Sequence, residues 1–298
     1  HRDLHSFPTR RSSDLSFVAH ISSIANLFNR NLAMLLDFGA TEKYFYCSFE
    51  EVDLERNVHD CMKNGPLDAS KTLEIGIEIA KGMKYIHDNG ILHLHLTSRN
   101  VLFQKEENDR VLITELGVSR FLSESSQGKI AKATGLLGIF DYIAPEQITG
   151  AFPVSFQSDV YSYGCLLYNL LSGTPPFQSK SPYQMAESHL KEMPPSLKEK
   201  RKDVPERLCA LVHRCMEKNP ADRFPSFLGI LDELEKIKKE FELQEMLKTE
   251  EGKELLSQTV GEKTEKRWWI LGPLFSLALG IVFFFLAPAI AEWFPFFK

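Results

Sequence analysis

Three histidines crowd the middle of the chain. His87, His93 and His95 lie within His87–Phe103, which reads H-D-N-G-I-L-H-L-H-L-T-S-R-N-V-L-F. Imidazole exchanges protons near neutral pH and is also the commonest metal ligand. Neutral His95 is therefore a candidate proton acceptor, and the three together a candidate metal site. Further on, Glu115 supplies a carboxylate, a hard oxygen donor of the kind divalent cations take. The cysteines offer less. Cys47, Cys61, Cys165, Cys209 and Cys215 are scattered, with no C-x-x-C pair. An odd count without ligand spacing fits buried thiols in a reducing compartment, not a disulfide frame or a zinc site.

These groups need a frame to hold them. The chain has 298 residues, 43% hydrophobic and 25% charged, with a formal net charge of -5. That suffices for one large domain, or for a domain of about 250 residues plus an appendage. The apolar fraction excludes a disordered chain, and the mild acidity argues against a nucleic-acid partner. Phe17, Ile21, Ile24 and Leu27 give Ser16–Phe28 a helical spacing. Leu32–Leu36 and Tyr44–Phe49 read as short strands. Asp68 is placed to cap a long helix whose apolar face includes Leu73, Ile77, Ala80, Met83 and Ile86, with Gly90 as its stop. Ile91–Leu92, Val101–Phe103 and Val111–Ile113 are short apolar runs around polar turns. Helices are expected from Asp159 to about Met246. From Asp232 to Arg267 the chain turns Lys/Glu-rich, a solvated helical stalk. Leu231, Leu234, Ile237 and Phe241 give that stalk a partial seam, read as packed on the domain rather than as a coiled coil. No internal repeat is visible.

Both ends stand apart. His1–Leu15, H-R-D-L-H-S-F-P-T-R-R-S-S-D-L, has neither helical nor strand period. It back-translates to what looks like a common sequencing adapter, so residues 1–15 are set aside as an adapter-like scar. At the other end Trp268–Ala291 carries no charged residue. At about 1.5 Å per residue it spans ~36 Å, against a hydrocarbon core of about 30 Å. Trp268, Trp269 and Trp293 mark its margins, and Lys263, Lys266 and Arg267 precede it. The positive-inside bias then puts the larger part of the chain in the cytosol. Pro273 lies where a membrane helix tolerates it, and Pro288 ends or kinks the helix.

Taken together, the motifs resemble a protein kinase. His87–Phe103 is similar to the catalytic loop, Y-L-H-x-x-x-I-x-H-R-D-L-x-x-x-N-V-L. Ile113–Arg120, I-T-E-L-G-V-S-R, falls at the place of D-F-G. Tyr142–Glu146, Y-I-A-P-E, then Ser158–Gly164, S-D-V-Y-S-Y-G, then Cys215–Phe227, C-M-E-K-N-P-A-D-R-F-P-S-F, follow in the family's order. The S-R-N and A-D-R-F-P-S-F runs resemble the tyrosine-kinase-like branch. Two further strings are decoys. His1–Leu4 spells H-R-D-L inside the scar, and Asp37–Gly39 spells D-F-G well ahead of the loop, closing a strand.

The resemblance implies an α+β protein-kinase fold. Its helical C-lobe is complete at 53–240, its N-lobe is truncated to a remnant and hinge at 16–52, and one C-terminal transmembrane helix follows. The stalk is 241–267, the membrane helix 268–291 and the tail 292–298. His95 stands where the acceptor-orienting Asp belongs, Leu94 at the neighbouring Arg, and Thr97 at the loop Lys. Asn100 matches a Mg²⁺ ligand, and Glu115 replaces the D-F-G Asp with a carboxylate one methylene longer. Glu50 and Val52 fall at the hinge that meets the nucleotide. Ile139 takes the Thr position of G-T-P-x-Y, and His20 aligns with the helix Glu that pairs the clamping Lys. That Lys and the Gly-rich loop belong upstream of residue 16.

What the resemblance leaves in place is the frame. His93 matches the H of H-R-D, whose packing also accounts for His87 and His93 without a metal. Leu116 fills the Phe slot of D-F-G. Asp159 matches the residue holding the loop backbone, and Glu146 with Arg223 the family's buried ion pair. Loss concentrated in the chemical residues suggests a pseudokinase, a membrane-anchored scaffold or allosteric module with protein partners in signalling. The alternative is an active Ser/Thr or dual-specificity kinase in the full-length form. ATP and Mg are expected only in that case, and none for this chain. Deleting 268–298 from the full-length protein is expected to move it from the membrane fraction to the aqueous one without unfolding the domain. Flotation with unfolding curves checks this, and aggregation of the shortened protein would make the segment part of the core.

Overall fold

In the computed structural model the described residues are 5–8, 21–40, 44–50, 52–53, 55–104, 110–116, 140–179 and 181–248. Three strands come first: β1 (His5–Pro8), β2 (Leu35–Ala40) and β3 (Tyr44–Phe49), paired antiparallel in the order β1-β3-β2. Residues 1–15, set aside on sequence grounds, thus contribute an edge strand, His5 pairing with Cys47 and Pro8 with Tyr44. Edge pairing is made by main chain, so a segment without strand period can still take it, and Pro is tolerated there.

The strand expected at Leu32–Leu36 sits further on. Leu32 makes only an isolated parallel bridge to Ile113, and the Ala33 amide donates to the Ile113 carbonyl at 2.9 Å. Across the hinge the Glu50 amide donates to the Met34 carbonyl, and the Met34 amide donates to the Glu50 carboxylate. The ladder with β3 starts at Leu35, shifts register before Asp37 and runs to Ala40. The D-F-G string is therefore inside β2 rather than at its end. The apolar run had marked burial, not pairing. Of the helix expected at Ser16–Phe28, a turn at 21–24 is seen, with Ile21 and Ile24 buried. Residues 16–20 are outside the described set.

Helices then take over. After α1 (Val58–Cys61) and a 3₁₀ turn comes α2 (Ala69–Asp88). The Asp68 carboxylate accepts from the Lys71 amide at 2.6 Å and so caps one of the amides left without an intrahelical partner. The chain leaves α2 through Asn89 and Gly90, whose φ of 73° only glycine adopts without strain. Leu73, Ile77, Ala80, Met83 and Ile86 are all buried. A hairpin follows, β4 (Val101–Gln104) and β5 (Arg110–Ile113), with Val101 opposite Ile113. The chain continues as α3 (Pro145–Thr149), α4 (Phe156–Ser172), α5 (Pro182–Lys191), α6 (Leu197–Lys200), α7 (Glu206–Cys215) and α8 (Phe227–Lys248).

The buried centre is α4. Tyr163 reaches the Gly76 carbonyl on α2 at 2.8 Å. Gly164 lets α7 come close, since a Cβ there would stand 2.6 Å from the Cys215 Cβ. Leu231, Leu234 and Ile237 of α8 are buried, so that seam packs on the domain. The chain divides into two compact units, His1–Lys239 and Glu240–Lys298. Among the described residues no helix is long and apolar enough to cross a membrane, and 268–291 lies outside them. Residues 249–267 of the expected stalk lie outside as well. None of the cysteines is in a disulfide. Cys61 is exposed rather than buried, a departure from the uniform burial expected, because α1 turns that side of itself to solvent.

Glu146 on α3 and Arg223 before α8 tie the far parts of the fold together. Nη1 meets Oε1 at 2.7 Å and Nη2 meets Oε2 at 2.9 Å, with both side chains wholly buried. The remaining guanidinium donors reach the carbonyls of Glu217, Gln157 and Lys218 at 2.7, 2.8 and 3.1 Å. All donors of the fork are thus used. Burial alone would raise the Glu146 carboxyl, but Arg223 and the Ser158 hydroxyl together hold it below the usual range. Arg223→Met is expected to cost about 3–5 kcal/mol, because it strands a buried carboxylate, and adding Glu146→Leu should return much of that. Urea unfolding of the two variants measures it.

Candidate functional site

The turn between α2 and β4 owes its shape to one carboxylate. Asp159, on α4 and wholly buried, accepts from the His93 amide at 2.8 Å and from the Leu94 amide at 2.6 Å. His87 Nε2 donates to the same carboxylate at 2.8 Å. Leu94 is thereby held at φ 60°, a left-handed conformation that costs a non-glycine residue roughly 1–3 kcal/mol. Glu115, at φ 61°, is the other described non-glycine residue of this kind.

His93 is fully enclosed and serves both strands of the site. Its Nε2 donates to the Thr114 carbonyl at 3.0 Å, while its Nδ1 accepts from the His95 amide at 3.2 Å. Such a pattern needs a neutral ring. Burial pushes the imidazole in that direction, against the opposing pull of Asp159. His87 and His93 are therefore spent on packing and hydrogen bonds. No group of three or more metal-ligating side chains occurs among the described residues.

The loop tip carries the chemistry-bearing groups. His95 Nδ1 stands 3.1 Å from Glu115 Oε2. The contact is one of charge and dipole rather than a well-aligned hydrogen bond. Asn100 knits the loop, its Oδ1 accepting from the Thr97 amide at 2.8 Å and its Nδ2 donating to the His95 carbonyl. The Thr114 amide in turn donates to the Asn100 carbonyl at 2.9 Å, which brings Glu115 alongside. Thr97 is buried, and its hydroxyl accepts from the Arg99 amide at 3.3 Å. Leu116, next to Glu115, is buried too. One carboxylate and one amide oxygen make a donor set of the type Mg²⁺ takes. Glu115 and Asn100 therefore suit the ion in kind, although Glu115 Oε2 faces an imidazole.

Glu50 and Val52 are at the hinge, apart from this cluster. The Glu50 carboxylate accepts from the Met34 amide at 2.9 Å and lies 3.7 Å from Arg110, so its side chain braces the crossing. Val52 is half-buried there. His20 and Ile139 fall outside the described residues.

Some members of the site escaped the sequence. Ser98 and Tyr142 bring their hydroxyls within 2.9 Å, and Tyr142 donates to Asn169 Oδ1 at 2.8 Å. Ser162 then donates to the Tyr142 carbonyl at 2.7 Å. This buried chain fastens the loop and the Y-I-A-P-E run to α4. The residues lie inside the recognised motifs, but no spacing rule pairs them. Beside it Asp141 is held up to about 6 by burial, against the attraction of Arg99.

Buried imidazoles make the lobe sensitive to acid. His93 and His213 are depressed by burial, and His189 is held down to about 3 by burial and by Lys218. A folded-state value below the unfolded one means that stability is full above about 6.5 and falls as pH drops through it. Asp141 acts the other way below about 6. With four depressed imidazoles, His59 included, against that one raised carboxyl, stability should drop from pH 7.5 to 5. His189 alone would contribute on the order of 2 kcal/mol. Urea unfolding at both pH values, with His189→Gln reducing the difference, tests this.

Comparison with known proteins bears on the whole arrangement. Residues 8–267 match the family model described as protein kinase domain. A probable serine/threonine-protein kinase of Clostridium acetobutylicum is 28% identical over 237 residues, 80% of this chain and 35% of that protein. One from Clostridium perfringens is 32% identical over 225 residues, 75% of this chain and 32% of that protein. The serine/threonine-protein kinase PknB of Mycolicibacterium smegmatis is 32% identical over 161 residues, 54% of this chain and 25% of that protein. The chain thus spans about a third or less of the length of these relatives. The Mycobacterium tuberculosis PknI kinase domain shares the fold, with a TM-score of 0.60 and 22% identity over 77% of this chain and 81% of that one. The relatives carry serine/threonine-kinase names, and none supports the expectation of lost activity or of a tyrosine-kinase-like branch.

Proposed function

Because the chain belongs to the protein kinase domain family, we propose that it is the larger lobe of a Ser/Thr protein kinase. In the full-length protein it would carry ATP-dependent phosphoryl transfer to protein hydroxyls through an altered catalytic loop. The names of its relatives support this reading over the pseudokinase expected from sequence. The single observation behind it is the 3.1 Å approach of His95 to Glu115. An imidazole beside a carboxylate keeps a proton acceptor at the position that the resemblance gives to the acceptor-orienting Asp, and such assistance is worth about 10²–10⁴-fold. Asn100 and Glu115 would hold Mg-ATP, which supplies the electrophilic phosphoryl group. Thr97 brings no cation to that group, so transfer should be slow.

The second reading is the pseudokinase acting as a docking or allosteric module. The same contact favours it, because a Glu115 carboxylate engaged by His95 is less free to take a cation. Finer proposals stand beside both. The S-R-N and A-D-R-F-P-S-F runs support a tyrosine-kinase-like placement, and Trp268–Ala291 supports a single-pass anchor with the lobe cytosolic. Protein partners, and no nucleic acid, suit a chain of net charge -5.

Phosphate transfer from ATP to Ser/Thr peptides by the full-length protein separates the readings. The kinase reading expects slow, Mg-dependent turnover that His95→Ala lowers by about 10²-fold or more. His95→Asp with Glu115→Asp should raise it non-additively, since the two positions act as a unit. Absence of turnover in the parent, with no thermal shift from Mg-ATP, would leave the docking module.

A further inference from the structure

The peptide bond between Leu94 and His95 is gripped at both ends. On one side the His95 amide donates to His93 Nδ1 at 3.2 Å. On the other, the Leu94 carbonyl accepts from Gln147 Nε2 at 3.2 Å. Gln147 comes from α3, more than fifty positions later in the chain. Its other amide atom is also used, Oε1 accepting from the Ala144 amide at 3.0 Å. The side chain thus bridges the start of α3 to the loop with one donor and one acceptor. α3 does not depend on this bridge for its place, because Glu146, the preceding residue, is locked to Arg223 and Ser158.

We infer that Gln147 is a positioning residue for His95, fixing the peptide that carries the imidazole from an element independently anchored to the core. Asp159 grips the amide of Leu94 and Gln147 its carbonyl, so the left-handed Leu94 is determined from both sides. Leu94 itself has no polar side-chain atom with which to secure the turn. Glutamine's pairing of a donor with an acceptor serves both Leu94 and Ala144. Glutamate keeps the acceptor but loses the donor, and methionine loses both at similar volume. The role in phosphoryl transfer rests on the kinase reading, whereas the hold on the loop does not.

Hydrogen exchange in the full chain tests it. In Gln147→Glu and Gln147→Met alike, the His95 amide should exchange about five-fold faster, the factor set by one neutral hydrogen bond, with exchange in α4 unchanged. If Gln147→Glu exchanges like the parent, the residue merely caps α3 and the inference fails. Should Gln147→Met unfold, Gln147→Glu alone decides, since it retains the cap. In an active full-length protein both variants should lower kcat while leaving KM for ATP in place. If KM rises instead and kcat holds, the positioning role is overturned. A parent without turnover removes the kinase reading, and the exchange result then decides the hold by itself.

Discussion

A single buried carboxylate organises the site. Asp159 receives two main-chain amides and one imidazole N–H, and each is a bond to an ionised acceptor, the strong class. A carboxylate with no exposure would be costly if any of those donors were withdrawn. The loop must therefore present His93 and Leu94 to α4 in one geometry, and Leu94 accepts a left-handed backbone to do so. From that geometry follow the placement of His95 beside Glu115 and of Asn100 across the base of the turn.

The same interaction shows how a loop can change its chemistry and keep its form. What Asp159 holds at His93 and Leu94 are peptide groups, which every residue but proline offers. Replacement of an arginine by Leu94, or of an aspartate by His95, leaves those donors in place. Asn100 likewise works on the main chain of Thr97 and His95. Side-chain identity at the tip is thus free to vary for reactivity, while the frame answers to Asp159, Asn100 and the fully satisfied Glu146–Arg223 pair. Intact architecture is accordingly weak testimony for or against catalysis.

Where sequence reading went astray, the cause was pairing at long range. The Leu32–Leu36 run is apolar because Leu32 and Ala33 are buried against Ile113, yet the ladder begins at Leu35. His5–Pro8 has no strand signature because its partners are backbone groups of β3. The scattered cysteines suggested uniform burial, but a four-residue helix leaves Cys61 exposed.

By itself, the sequence determined the elements whose cause is local. The Asp68 side chain caps α2 at the Lys71 amide three residues on, the apolar face of α2 follows helical spacing, and the kinase-like motifs stand in order. Motif order also marked out Asp159, Glu146 and Arg223. Tertiary structure alone decided which atoms meet. Ser98 finds Tyr142 and Asn169, Gln147 finds the Leu94 carbonyl, and His95 finds Glu115 rather than solvent. Each of these joins residues far apart in the chain. Their donors and acceptors are specified only after α3 and α4 have packed, because burial leaves a polar group no water and obliges it to take the partner that the fold brings within reach.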